Sequence, residues 1–153
     1  MPSLERFYFN SGFGEGWALY AEQLAHELGL YSSDLDEMGR LSEDALRAAR
    51  LVVDPGLHVL GWSRQRAIEY MLAHTAQSEI QAASEIDRYI ITPGQATAYM
   101  IGRLEIERLR RLATTRLGPR FDVREFHQRI LEDGTVPLPL LGEKIERWIA
   151  SAR

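Results

Sequence analysis

Residues 42–58 read Ser-Glu-Asp-Ala-Leu-Arg-Ala-Ala-Arg-Leu-Val-Val-Asp-Pro-Gly-Leu-His. Apolar residues recur at every third or fourth position of this stretch, which is the period of an α-helix that buries one face. The apolar stripe contains Leu46, Ala49, Val53, Leu57 and, two residues beyond the stretch, Leu60. Pro55 stands inside the stretch, where it removes one backbone hydrogen bond and is expected to bend the helix.

The same helical period continues on both sides of this stretch. One helix is predicted over about residues 14–28, with Gly29 as its end, and the last helix contains residues 141–149. The predicted helix starts between them are Ser33 or Asp34, Ser42, Ser63, Ser78, Thr92 and Asp122. No apolar run has an evident strand partner. The sequence therefore predicts a single all-α domain over residues 1–153, with about six or seven helices.

Size and composition are those of an ordinary soluble protein. A chain of 153 residues can bury roughly 70% of its unfolded surface, which is enough for its own core. The net charge of −4 argues against a nucleic-acid surface, because phosphate binding needs clustered Lys and Arg. No apolar run reaches the roughly 18 residues of a membrane span, and no targeting segment is recognisable. We expect neither nucleic acid nor a membrane as a partner.

Arg50, Asp54 and His58 lie four residues apart, so a helix would place them on one stripe beside the apolar one. One interpretation is a buried, ion-paired stripe that holds two helices together. The other is functional: Asp54 orients His58, and His58 donates to a substrate carbonyl or its oxyanion.

A second group of candidates surrounds the predicted helix start at residues 92–95. Arg88 and Tyr89 precede it, and Tyr99 follows one turn further on. A helix N-terminus presents free N–H groups, and an Arg with two Tyr would suit a peptide carboxylate or a developing oxyanion. Helix capping and ordinary packing of Tyr99 are the alternative.

Glu15 is the third candidate, at the head of the first predicted helix. It is a metal ligand, a charge favoured by the helix dipole, or a plain surface residue. The sequence has no H-E-x-x-H motif, no G-x-S-x-G motif and no cysteine. Nothing in the chain therefore makes a complete metal site.

Three segments resemble the signatures of a bacterial family, domain of unknown function 885. Residues 15–22 (EGWALYAE) resemble E-G-W-A-L-Y-x-E, and residues 50–58 (RLVVDPGLH) resemble R-L-V-V-D-T-G-x-H. Residues 88–99 resemble R-Y-x-x-x-P-G-Q-A-x-x-Y. The similarity covers essentially the whole chain. Pro55 stands where the family usually has Thr, and Met100 stands where Lys is common.

The resemblance implies a helical, zinc-dependent peptidase of the gluzincin kind. In that family H-E-x-x-P-G-H would supply two zinc-binding His and a general base, and Glu15 would be the third protein ligand. The resemblance also makes His58, Tyr89 and Tyr99 candidates for stabilising the tetrahedral intermediate, and Arg88 a candidate for positioning the substrate. The H-E-x-x-P-G-H segment is missing from this sequence.

We therefore predict the C-terminal helical part of a zinc peptidase or other hydrolase, inactive alone and with no zinc bound to this chain by itself. Its partners would be the missing N-terminal half and a peptide substrate. The alternative is a stand-alone helical scaffold that self-associates or binds another chain through its exposed surface.

Overall fold

The computed structural model describes residues 9–152. They form α-helices and their connections, with no strand among them, which confirms the predicted all-α class. The helices are α1 (Ser11–Glu27), α2 (Asp34–His58), α3 (Arg64–His74), α4 (Glu79–Ile91), α5 (Ala98–Leu117), α6 (Val123–Leu131) and α7 (Leu138–Ser151). Short 3-10 turns cover Gln95–Thr97 and Gly118–Arg120. None of the helices in this part of the chain is long and apolar enough to cross a bilayer.

Most of the predicted helix ends are confirmed at the level of individual hydrogen bonds. The side chains of the N-cap residues each accept a backbone N–H of the first turn, which would otherwise lack a partner. These residues are Ser33, Ser63, Ser78 and Asp122. Gly29 ends α1 in the left-handed region with a φ of 66°. The N–H groups of Gly29 and Leu30 reach back to the carbonyls of His26 and Ala25, as in a Schellman motif.

The prediction of a separate helix start at Ser42 is wrong, because α2 runs unbroken from Asp34 to His58. The buried guanidinium of Arg40 donates to Glu37 on one side and to Asp44 on the other. These bonds between residues three and four apart tie the helix together across the expected boundary.

The prediction that Thr92 starts a helix is also wrong. Its hydroxyl donates to the carbonyl of Arg88 and so ends α4. Pro93 disfavours the helical conformation at the residue before it, and Thr92 has a ψ of 72°. Gly94 then turns the chain with a φ of 80°, and α5 begins only at Ala98.

By its internal contacts the chain divides into two compact units. The central unit is Ala21–Met100, and the terminal unit combines residues 9–20 with residues 101–152. The core of the central unit consists of Leu46, Ala49, Val53, Ala67, Ile68, Met71, Ala82, Ile86, Tyr89 and Ala96. Leu46, Ala49 and Val53 of the predicted stripe therefore pack in this core with residues of α3 and α4, whereas Leu60 lies beyond the end of α2 and is 67% exposed. The single-domain organisation stays a prediction.

The terminal unit is held by a close approach between α1 and α5. A Cβ atom added to Gly16 would lie 2.4 Å from the Cα of Gly102, so the two backbones touch. Further along α1, the hydroxyl of the buried Tyr20 lies 2.8 Å from Nε2 of His127 on α6. The last helix, predicted over residues 141–149, is α7, and its apolar face is buried: Leu141, Ile145, Trp148 and Ile149.

Candidate functional site

Arg50, Asp54 and His58 form the polar stripe of α2, and the first two of these side chains are buried in the central unit. Arg50 and Asp54 are only 6% and 4% exposed, whereas His58 is exposed. A buried charged side chain is tolerated when an ion pair or hydrogen bonds compensate for its lost contact with water. The partners of Arg50 and Asp54 therefore decide what this stripe does.

Arg50 binds the side chains of two α4 residues. Its Nε donates to the hydroxyl of Tyr89 at 2.8 Å, and its Nη2 donates to Oε2 of Glu85 at 2.8 Å. The Tyr89 hydroxyl in turn donates to the same Glu85 oxygen. Tyr89 is fully buried and its hydroxyl is bonded on both sides. This arrangement orients Tyr89 but leaves its hydroxyl no free donor for a substrate.

Arg88 completes this group from the next position of α4. Its Nε and Nη2 donate to the Glu85 carboxylate, and its Nη1 donates to Oε1 of Gln95 at 2.7 Å. Its guanidinium also lies 4.8 Å from the centre of the Tyr89 ring. We call Arg50, Glu85, Arg88, Tyr89 and Gln95 the Arg50 cluster. The side chain of Gln95 thus accepts a hydrogen bond from Arg88 and does not cap a helix.

Electrostatics fix the ionisation of the cluster. Burial raises the pKa of Glu85, but hydrogen bonds from Arg88, Tyr89 and Arg50 outweigh it and lower that pKa to about 2. Burial, reinforced by the bond to Glu85, raises the pKa of Tyr89 to about 12. At neutral pH the cluster therefore holds a carboxylate and a neutral phenol between two guanidinium groups.

Asp54 does not bind His58 in this structure. Both Asp54 oxygens accept the backbone N–H of Gly94 at 3.0 Å, so the carboxylate fixes the turn before α5. His58 instead donates through Nε2 to the carbonyl of Tyr89 at 3.0 Å. Of the two interpretations of this stripe, the contact by which Asp54 would orient His58 is absent here, and each residue separately joins α2 to the end of α4 or to the turn after it.

Tyr99 is the candidate whose hydroxyl stays available. It is half-buried, and its hydroxyl has no hydrogen-bond partner within the described ranges. Two guanidinium groups from α2 flank its ring, with Cζ of Arg50 4.8 Å and Cζ of Arg47 5.9 Å from the ring centre. The structure therefore brings Arg50, Arg88, Tyr89 and Tyr99 into one region of the central unit.

Glu15 belongs to the terminal unit, in the second turn of α1. It is half-buried, and its carboxylate has no hydrogen bond or ion pair to any residue from 9 to 152. Within the same residues there is no group of three His, Cys, Asp or Glu side chains that could hold a metal ion. The described residues alone therefore do not fit a zinc site, although Glu15 is free to act as one ligand of such a site.

The sequence analysis did not single out Glu85 or Arg47. Glu85 precedes Arg88 by three residues and Tyr89 by four on a predicted helix, a spacing that brings side chains together. That spacing is the signal that could have found Glu85. Arg47 stands one turn before Arg50, but nothing local distinguishes it from a surface arginine.

The fold and this site define the class: an all-α protein whose central unit buries an arginine–carboxylate–tyrosine cluster. More particularly, the chain belongs to the family described as bacterial protein of unknown function (DUF885), which matches residues 1–145. The match confirms the resemblance inferred from the three motifs. The zinc peptidase chemistry stays a prediction.

Among the solved structures that match the chain, one from Colwellia is similar over nearly the whole chain. It is described as the "putative lipoprotein from Colwellia psychrerythraea". Its sequence is 44% identical to this chain, and the two structures superpose with a TM-score of 0.94. The similarity covers 98% of this chain and 26% of that protein, so this chain spans about a quarter of its length. No curated protein is significantly similar to the chain.

Proposed function

We propose that this chain is the C-terminal helical part of a zinc-dependent peptidase, to which Glu15 contributes one metal ligand. The observation that supports this most is the free carboxylate of Glu15. Carboxylates of similar exposure on α5 are paired, Glu105 with Arg108 and Glu107 with Arg103. A partly exposed carboxylate without a protein partner is available to bind a metal ion, and carboxylate oxygens are ordinary zinc ligands.

The remaining ligands would come from a polypeptide that carries H-E-x-x-P-G-H, since this sequence has no such segment. A zinc ion so bound would polarise the scissile carbonyl and activate water. Within the central unit, Tyr99 keeps a free hydroxyl, and we propose it as the hydrogen-bond donor to substrate that the family resemblance implies. Arg88 and Tyr89 are proposed to hold the Arg50 cluster in place and not to contact the substrate, because their polar atoms are already bonded within the cluster. His58 could donate only through Nδ1, as an imidazolium.

A chimaera tests this proposal. This chain would replace the segment of the Colwellia protein that it matches, and zinc content after dialysis and peptide hydrolysis would be measured. We expect one zinc per chimaera, and we expect Glu15→Gln to lose both the metal and hydrolysis. Glu143→Gln is the matched control, because Glu143 is an exposed carboxylate of the same unit. Retention of zinc and activity by the Glu15 variant, or no zinc in the parent chimaera, would contradict the proposal.

A self-associating scaffold is the second candidate. Large apolar side chains are exposed between the end of α1 and the first turns of α2: Leu28, Leu30, Leu35, Met38 and Leu41. Large exposed apolar patches are typical of interaction surfaces. If this surface mediates self-association, light scattering will give a dimer mass that Leu35→Lys and Met38→Lys together reduce to that of a monomer. A monomer mass for the unmodified chain contradicts this candidate.

A further inference from the structure

Two arginines of α2 share one aromatic ring in the central unit. Arg47 and Arg50 are three residues apart, so their side chains project from neighbouring positions of the helix surface. Both guanidinium groups lie within 6 Å of the Tyr99 ring centre, at 5.9 and 4.8 Å. Arginine over an aromatic face is held in place by cation–π attraction. The three side chains thus form a preorganised group.

Both arginines have a buried N–H group that nothing in the described chain accepts. These atoms are Nε of Arg47 and Nη1 of Arg50, and the Arg50 side chain as a whole is 8% exposed. The carboxylates of Glu43 and Glu85 bind other nitrogens of the same two arginines. A buried donor without an acceptor is rare in folded proteins and calls for an explanation.

Arg88 shows the contrast within the same unit. Each of its three guanidinium nitrogens donates to Glu85 or Gln95. Substrate positioning, which the family resemblance places on Arg88, therefore suits Arg47 and Arg50 better. Other atoms of the group reach the surface, because Arg47 keeps 18% of its side-chain surface in solvent and Tyr99 is half-buried, whereas the two unpaired N–H groups themselves are buried.

We propose that Arg47, Arg50 and Tyr99 bind a carboxylate, namely the free C-terminal carboxylate of a peptide substrate. This inference rests on the proposed function. A planar carboxylate accepts several N–H groups at once, and arginine presents them in a matching fork. The hydroxyl of Tyr99 adds a third donor. A site of this kind would select peptides by their C-terminal end.

Binding of trialanine to this chain tests the proposal without zinc or hydrolysis. Calorimetry and NMR spectra of the labelled chain would compare trialanine, trialanine amide and acetate. We expect the amide to bind at least about tenfold more weakly than the acid, because it lacks the charge of the carboxylate. Acetate should compete with trialanine. Equal binding of acid and amide, or no binding of either, overturns the proposal.

Substitutions then locate the site. Arg47→Gln and Tyr99→Phe should each weaken trialanine binding, Arg47→Gln by about tenfold. Arg64→Gln is the matched control, because Arg64 is an exposed, ion-paired arginine of the same unit. Arg50 is not substituted, since it anchors Tyr89 and Glu85. Undiminished binding by both variants, with circular dichroism showing them folded, overturns the assignment. If this chain binds trialanine as expected but the chimaera shows no zinc-dependent hydrolysis, that result counts against the proposed function and not against the carboxylate site.

Discussion

Replacing Gly102 by alanine is expected to lower the free energy of unfolding by about 3 kcal/mol, because it forces α1 and α5 apart. A Cβ atom at Gly102 would lie 1.8 Å from the carbonyl oxygen of Gly12 and 2.7 Å from the Cα of Gly16. All three positions belong to the terminal unit. The obstructing atoms are backbone atoms, so no side-chain rotation relieves the overlap and a whole helix has to shift.

The substitution also has a favourable effect, which is the smaller one. Alanine is better than glycine inside a helix by about 1 kcal/mol. Gly39→Ala measures that gain alone, because Gly39 is an exposed interior residue of α2 and a Cβ atom there meets nothing within 4 Å. We expect Gly39→Ala to raise the free energy of unfolding by roughly 0.5–1 kcal/mol.

Urea unfolding followed by circular dichroism gives both values. If Gly102→Ala unfolds at the same urea concentration as Gly39→Ala, the close approach of the two helices is not present in solution. A Gly102→Ala chain that fails to fold even without urea agrees with the expectation, provided that Gly39→Ala folds normally.

Local sequence signals predicted the helices well and their contacts poorly. The capping residues Ser63 and Ser78 act through bonds to residues three positions away, and such bonds are visible in the sequence. The approach of Gly16 to Gly102 joins residues far apart in the chain, and no periodicity encodes it. Thr92 is a residue type that often begins a helix. In the structure its hydroxyl donates to the carbonyl of Arg88, so it ends α4 instead.

The candidate site shows the same division. The motifs identified Arg50, Asp54 and Tyr89 as special, and all three are buried. Their partners could not be predicted, because each lies on another element. One of the two interpretations has Asp54 orient His58, one turn away, whereas both Asp54 oxygens accept the N–H of Gly94. A spacing of four residues places side chains near each other but does not decide which acceptor satisfies which donor.

The Glu85→Gln substitution is expected to destabilise the central unit by about 3 kcal/mol. It removes the carboxylate that accepts from Arg50, Arg88 and Tyr89, and it leaves the buried guanidinium of Arg50 without its counter-charge. Breaking one side of a buried ion pair costs about 3–5 kcal/mol, and the 24% exposure of the Glu85 side chain favours the lower value.

Glu105→Gln is the matched control. The Glu105 side chain is 23% exposed, almost the same as that of Glu85, but its partner Arg108 is 48% exposed. Exposed pairs contribute at most about 1 kcal/mol. A loss from Glu105→Gln as large as that from Glu85→Gln would mean that the burial of Arg50 is not what makes the difference.

The pH dependence separates the charge of Glu85 from its packing. The pKa of Glu85 falls from its ordinary value of 4.5 to about 2 in the folded protein, so the ionised carboxylate stabilises the fold. That stabilisation is fully present above about pH 4.5 and is lost as the pH falls through 2. The shift corresponds to about 3 kcal/mol before solvent screening reduces it.

Urea titrations at several pH values should therefore show that the difference in free energy of unfolding between the unmodified chain and Glu85→Gln, which we call the gap, shrinks from pH 5 to pH 2, as the native carboxylate is neutralised. A gap that stays constant over this range would assign the loss to shape and hydrogen bonding instead of charge.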